Sequence, residues 1–142
     1  INDPVDGALL WSDTTKIYKW EDGTVNHAED IVVRTKDIDF GEPSIRKKVY
    51  RVRISYKGNA SALQVGYSVN GAPTLMHQFN SDTTPLTDQS AATDWVHAEL
   101  KPTTSSLANN IYSFQLHFIG PNAGNDFELN DISIIFRTKG IK

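Results

Sequence analysis

Apolar residues recur at every second position through the middle of this chain, and no segment of helical length repeats with the 3.6-residue period of an α-helix. Tyr50, Val52, Ile54 and Tyr56 alternate with Arg51, Arg53, Ser55 and Lys57. Leu63, Val65, Tyr67 and Val69 alternate with Gln64, Gly66, Ser68 and Asn70. Side chains on a strand point to opposite faces in turn, so this pattern makes half-buried strands with their charges outward. Gly58-Asn59-Ala60-Ser61 between the two runs reads as a hairpin loop. A centred pairing sets Tyr56 against Leu63, Ile54 against Val65, Val52 against Tyr67 and Tyr50 against Val69. Every inward pair is then apolar, and a slip of one residue would spoil all of them.

A second hairpin is expected from Trp95–Lys101, with Val96, Ala98 and Leu100 inward, and Ile111–Ile119, with Tyr112, Phe114, Leu116 and Phe118 inward. Its connector, residues 102–110, is rich in Thr, Ser and Asn, and is long enough to cross between sheets instead. A closing strand is expected over Phe127–Arg137, with Ile132, Ile134 and Phe136 on one face. Shorter strands fit Lys16–Glu21, Glu29–Lys36 and Leu75–Phe79. Asn70-Gly71 is a tight-turn signal, but a two-residue turn there would put Leu75, His77 and Phe79 on the polar face. Pro73 also lacks a ladder donor. A wider turn or bulge after Val69 resolves the conflict. Residues 80–94 form one long polar loop carrying Pro85, of the kind that is usually functional or mobile.

Seven to nine short strands without crossover helices define an all-β, single-domain antiparallel β-sandwich, jelly-roll-like or immunoglobulin-like, with long polar loops. The 142 residues, 39% of them apolar, suffice for one core. Residues 1–15 read as a linker or N-terminal arm and 16–142 as the sandwich. The chain opens at Ile1 with no initiator Met or leader pattern, and Asn2-Asp3-Pro4-Val5-Asp6-Gly7 has the composition of a linker, as expected of a piece of something longer. Apolar runs are only a few residues long, far short of the ~20 of a membrane-spanning helix, so no membrane insertion is expected.

The absence of cysteine excludes disulfides, thiol catalysis and cysteine zinc sites. Charge is segregated along the chain. Residues 1–45 hold ten acids and four bases, residues 46–57 six bases and no acid, and residues 58–142 seven acids and four bases. The net charge is −3, which offers no bulk attraction to nucleic acid or anionic lipid. Arg51, Arg53 and Lys57 make an outward stripe. Nucleic-acid binding would interleave aromatics on that face, whereas Tyr50, Tyr56 and Tyr67 point the other way. Pairing across strands or between subunits with the acidic remainder is the better reading, so the stripe is a candidate interaction surface.

Other constellations are weaker. His97 and His117 face each other in the second hairpin as drawn, with Glu99 nearby, which would suit zinc; plain inside-outside alternation explains the same residues, and no metal is expected. Asn122, Asn125, Asp126, Glu128, Asn130 and Asp131 are oxygen-rich, as Ca²⁺ sites are, but their spacing is that of a turn and a strand. No pair of carboxylates across a cleft, nucleophile elbow, phosphate loop or dinucleotide fingerprint is present. No catalytic activity and no cofactor are expected. Trp11, Trp20 and Trp95 could stack on sugars. Trp95, at the exit of the long loop and on the outer side of its strand, is the best placed, with Trp20 second, against the plainer role of core or interface filler.

The run Arg34-Thr35-Lys36-Asp37-Ile38-Asp39-Phe40-Gly41, followed by Arg46-Lys47-Lys48-Val49-Tyr50-Arg51-Val52 and Ile54-Ser55-Tyr56-Lys57-Gly58, resembles a segment of proteins of tailed bacteriophages, marine ones in particular. The closing Phe127-Glu128-Leu129-Asn130-Asp131-Ile132-Ser133-Ile134-Ile135-Phe136-Arg137, with Lys139 and Lys142, is similar to the end of the same proteins. The likeness spans residues 29–142 and is weakest over 72–94. It implies the C-terminal module of a larger tail-associated virion protein, located in the virion, with other virion proteins, copies of itself or host-surface glycan as partners. It assigns no functional residues. The closing strand also resembles the last strand of carbohydrate-binding jelly rolls, which makes a carbohydrate-binding module the alternative.

Overall fold

Alternation becomes strand in the computed structural model, which describes residues 10–12, 17–19, 31–72, 74, 76–120 and 127–140. The strands are β1 (Leu10–Ser12), β2 (Ile17–Lys19), β3 (Ile31–Arg34), β4 (Lys47–Asn59), β5 (Gln64–Val69), β6 (His77–Gln78), β7 (Asp88–Gln89), β8 (Val96–Leu100), β9 (Asn109–Ile111), β10 (Phe114–Gly120) and β11 (Glu128–Thr138). All pairings are antiparallel. β1 and β2 pair with each other. One sheet has the order β3-β10-β5-β6. The other is built on β4, with β11 along one flank and β7, β8 and β9 sharing the other. The chain forms a β-sandwich.

The sheets close on one apolar core. Val52, Ile54 and Tyr56 from β4, Val65 and Tyr67 from β5, Leu100 from β8, and Phe114, Leu116 and Phe118 from β10 are all buried. Each such side chain contributes about 1.5–3 kcal/mol on leaving water. Tyr67 is the hub, with ring centroids 4.9 Å from Phe79 and 5.1 Å from Phe114.

Neither expected hairpin forms. β4 and β5 are consecutive but lie in different sheets, as do β8 and β10. The residues drawn as ladder partners belong instead to the facing walls of the core. Apolar residues that meet across a sandwich satisfy the same inside-outside rule as apolar residues paired within a sheet. The connection after β4 is a corner: Asn59 Oδ1 accepts from the Ser61 amide at 3.1 Å, and the Leu63 amide donates to Ala60 O at 3.1 Å. Residues 101–108 return the chain to the same flank of β4 as β9, and the crossing to the other sheet is made at Tyr112 and Ser113, before β10.

Two outward residues were expected inward. Tyr50 is 38% exposed because β4 bulges there: Arg51 pairs with Ile135, yet Val49 pairs with Phe136. Below the bulge the inward positions are Val49 and Lys47, both buried. Tyr112 is also exposed, since Ile111 takes the buried place and β10 begins only at Phe114.

After Val69 the turn does widen. Asn70 and Gly71 both have positive φ, 55° and 70°, and Ala72 N donates to Val69 O. Ladder pairing resumes only at Tyr67↔His77, which keeps Phe79 inward and buried. Gly66 admits this close approach: a Cβ there would lie 2.8 Å from the His77 carbonyl oxygen. The long loop is pinned along its length. Leu86 is buried, Thr83 O accepts from Val65 N, the Thr87 amide donates to the Tyr56 hydroxyl at 3.3 Å, and β7 pairs with the end of β4.

Candidate functional site

The outer face of the β4 sheet gathers the charged residues that alternation turned away from the core. β8 runs beside β4 with Arg53 opposite Glu99, Ser55 opposite His97 and Tyr56 opposite Val96. One carboxylate therefore stands among several cations. Glu99 Oε2 accepts from Arg51 Nη1 at 2.8 Å and lies 3.5 Å from Arg53 Nη2, while Glu99 Oε1 is 3.1 Å from Lys101 Nζ. The hydrogen bond from Arg51, then that from Lys101, holds the Glu99 carboxyl down at about 2. Three cations on one carboxylate leave a positive surplus fixed on a rigid strand pair. Arg53 and Lys101 are the more exposed of the three.

The same face continues to Lys57 and Trp95, which the β4–β8 register carries side by side. Lys57 Nζ sits 4.6 Å from the Trp95 ring centroid, a cation–π contact of about 0.5–1 kcal/mol at an exposed site. Trp95 is 38% exposed. The structure thus brings Trp95, Arg51, Arg53 and Lys57 onto one surface. Trp20 lies outside the described residues. On the far flank, Glu128 stands opposite Lys57 and Asp131 opposite Ser55. Sequence reasoning had missed Glu99 as the organising acid and Lys101 as its third cation. The signal was present, because Glu99 faces Arg53 as soon as β8 is laid beside β4.

His97 and His117 do not face each other. His97 is exposed on β8, whereas His117 is buried in the other sheet, paired with Arg34 and Gly66. His117 Nε2 and the Ser68 hydroxyl share a hydrogen bond of 2.8 Å. Burial, then the nearby Arg34 charge, keeps its imidazole below the ordinary histidine range. Among the described residues no three His, Asp or Glu side chains come together as metal ligands would. Of the oxygen-rich stretch, Asn122, Asn125 and Asp126 lie outside the described residues, and Asp131 accepts from the Ser133 hydroxyl at 3.2 Å.

The face is open and flat. It offers directional charge and one aromatic ring, Trp95. Such a surface can dock a partner or lie along an extended ligand. No helix among the described residues is long and apolar enough to cross a membrane. Compared with known protein families, characterised proteins and solved structures, the chain matches none.

Proposed function

We propose that this chain is a non-catalytic interaction module of a tailed-phage tail or virion protein, acting in assembly or host-surface attachment through the outer face of its β4 sheet. The observation that carries this reading is the surplus of cations organised by Glu99 on that face. A flat, rigid, charged surface suits the docking of an acidic partner, and the acid-rich first 45 residues of a second copy have the complementary sign. Exposed pairs contribute only about 0–1 kcal/mol each. The face therefore supplies register and association rate more than affinity.

Sedimentation velocity at low and high salt tests the reading. Oligomers that loosen as salt rises, and that Arg53→Glu abolishes, are the expected result. A monomer at every salt that also fails to co-sediment with other virion proteins refutes it. The alternative, a carbohydrate-binding module, draws on the exposed Trp95 ring at the end of the same face. It predicts glycan-array binding that is lost in Trp95→Ala and kept in Arg53→Glu.

A further inference from the structure

A second cationic feature lies away from the β4 face's Glu99 network and is concave. The loop before β4, the end of β9 and the last residues of β11 enclose a cleft of about 750 Å³, within the size range of small-ligand sites. Arg46, Arg137 and Lys139 line it, and no carboxylate among the described residues does. None of the ion pairs among the described residues engages these three cations.

The cleft is built rather than incidental. Lys139 N donates to Arg46 O at 2.7 Å, which ties the end of β11 to the loop before β4. Arg46 Nε donates to the Tyr112 hydroxyl at 3.0 Å, and its guanidinium carbon stands 5.5 Å from the Tyr112 ring centroid. Tyr112 is itself fixed, since its amide donates to Asn70 Oδ1 at 2.7 Å. Beneath it, the buried Lys47 ammonium donates to the carbonyls of Tyr112, at 3.1 Å, and Glu42. Arg46 is thus held in place with most of its guanidinium donors unused by described residues, and Lys47 adds a fourth positive charge behind the wall.

Cations gathered with no counter-charge among the described residues repel one another, and an oxyanion relieves that repulsion. Guanidinium forks bind carboxylate and sulfate in two-pronged fashion. Beside Ile45 and Gly140, the lining also holds groups matched to hydroxyls: the hydroxyls of Ser44 and Thr138 and the Asn110 amide, whose Oδ1 accepts from Lys139 Nζ at 3.4 Å. Base stacking is not provided for, because the one aromatic ring already carries the Arg46 guanidinium. We infer that the cleft between the loop before β4 and the end of β11 binds an acidic saccharide, whose carboxylate or sulfate is held by Arg46, Arg137 and Lys139.

Calorimetric titration of the 142-residue chain at physiological salt tests this, using a heparin-derived hexasaccharide, neutral cellohexaose, sodium sulfate and a short single-stranded DNA. The acidic hexasaccharide should bind and cellohexaose should not. Arg137→Ala and Lys139→Ala should each weaken binding about tenfold, the worth of a charged hydrogen bond, and Arg46→Ala more. Lys36→Ala, which removes an equal charge from an exposed site elsewhere, should change it less than about twofold. Thermal melts establish that each variant folds, and Arg137→Ala and Lys139→Ala carry the test if Arg46→Ala does not. Equal losses in Lys36→Ala and Arg137→Ala would reduce the effect to bulk charge and overturn the site. So would absence of binding, sulfate alone binding as tightly as the hexasaccharide, or DNA binding more tightly.

Discussion

Asn130 in β11 and Tyr50 in β4 compensate for each other. Asn130 is an extra residue that shifts the β4–β11 register between Leu129↔Tyr56 and Asp131↔Ser55, and Tyr50 is an extra residue that shifts it back between Ile135↔Arg51 and Phe136↔Val49. The two long strands therefore leave their ladder in the register in which they entered it. Only the stretch between the two bulges is offset. The second bulge also exchanges which side chains of β4 face the core.

That exchange gives the first prediction. Val49 is buried and Tyr50 is not. Val49→Ala should destabilise the fold by about 2 kcal/mol. Tyr50→Ala should cost no more than about 1 kcal/mol, mainly through the lost contact with Lys48 Nζ, 4.9 Å from its ring centroid. Urea unfolding of both variants decides the matter. The opposite ranking would mean that simple alternation runs unbroken through residue 50.

A second prediction concerns Lys47. Its stem is packed inside and its ammonium satisfies two carbonyls, those of Glu42 and Tyr112. Lys47→Met keeps the apolar stem but strands those acceptors, at a cost of about 1–3 kcal/mol. If Lys47→Met melts at or above the parent temperature, the ammonium is not what holds the loop at 42–46 to Tyr112.

Gly66 supplies a third. An added methyl there would meet Met76 Cγ at 2.5 Å and the His77 carbonyl oxygen at 2.8 Å. Met76 can move aside, but the carbonyl belongs to the β6 backbone. Gly66→Ala should therefore destabilise by about 1–3 kcal/mol and raise amide exchange at His77 and Gln78. Unchanged exchange there would show that β6 does not press on β5 as described.

Acid should weaken the fold in two stages. His117 is held below its ordinary value of 6.5 in the folded state, so the unfolded chain binds its proton first, and stability falls as pH drops below about 6.5 toward the folded value. Glu99 is depressed from 4.5 to about 2, so its contribution is complete above 4.5 and fades as pH falls to about 2. His117→Gln should flatten the upper stage of a melting-temperature profile and Glu99→Gln the lower. Superimposable profiles for parent and His117→Gln would contradict the buried, neutral imidazole.

The strands and their inward faces were legible because period two reports which side of a strand meets the core. Val52, Ile54, Tyr56, Val65, Tyr67, Leu116 and Phe118 all lie where alternation puts them. The same signal is silent about whose edge a strand joins. β4 and β5, matched pair by pair in apolar character, face each other across the interior rather than along a ladder. The Glu99 network was hidden by that ambiguity, although the outward direction of Arg51, Arg53, Lys57 and Trp95 was not. The cleft had no periodic signature, since Arg46, Tyr112 and Arg137 come from segments far apart in the chain. Bulges at Tyr50 and at Asn110, whose φ is 70°, shape its walls.

The placement of β4 at the centre of its sheet bears on how the domain comes to be folded. Its partners in β11 lie between 71 residues away, for Lys57↔Glu128, and 91 residues away, for Lys47↔Thr138. During synthesis β4 emerges with one whole flank bare and stays so until β11 has been made. Ordering so long an intervening segment before contacts reward it is slow, and sandwiches rich in such distant pairings fold in about milliseconds to seconds. The exposed flank is meanwhile an open strand edge. The cations of residues 46–57 would then act as a brake on aggregation as well as a binding surface, by keeping nascent copies apart until β11 arrives.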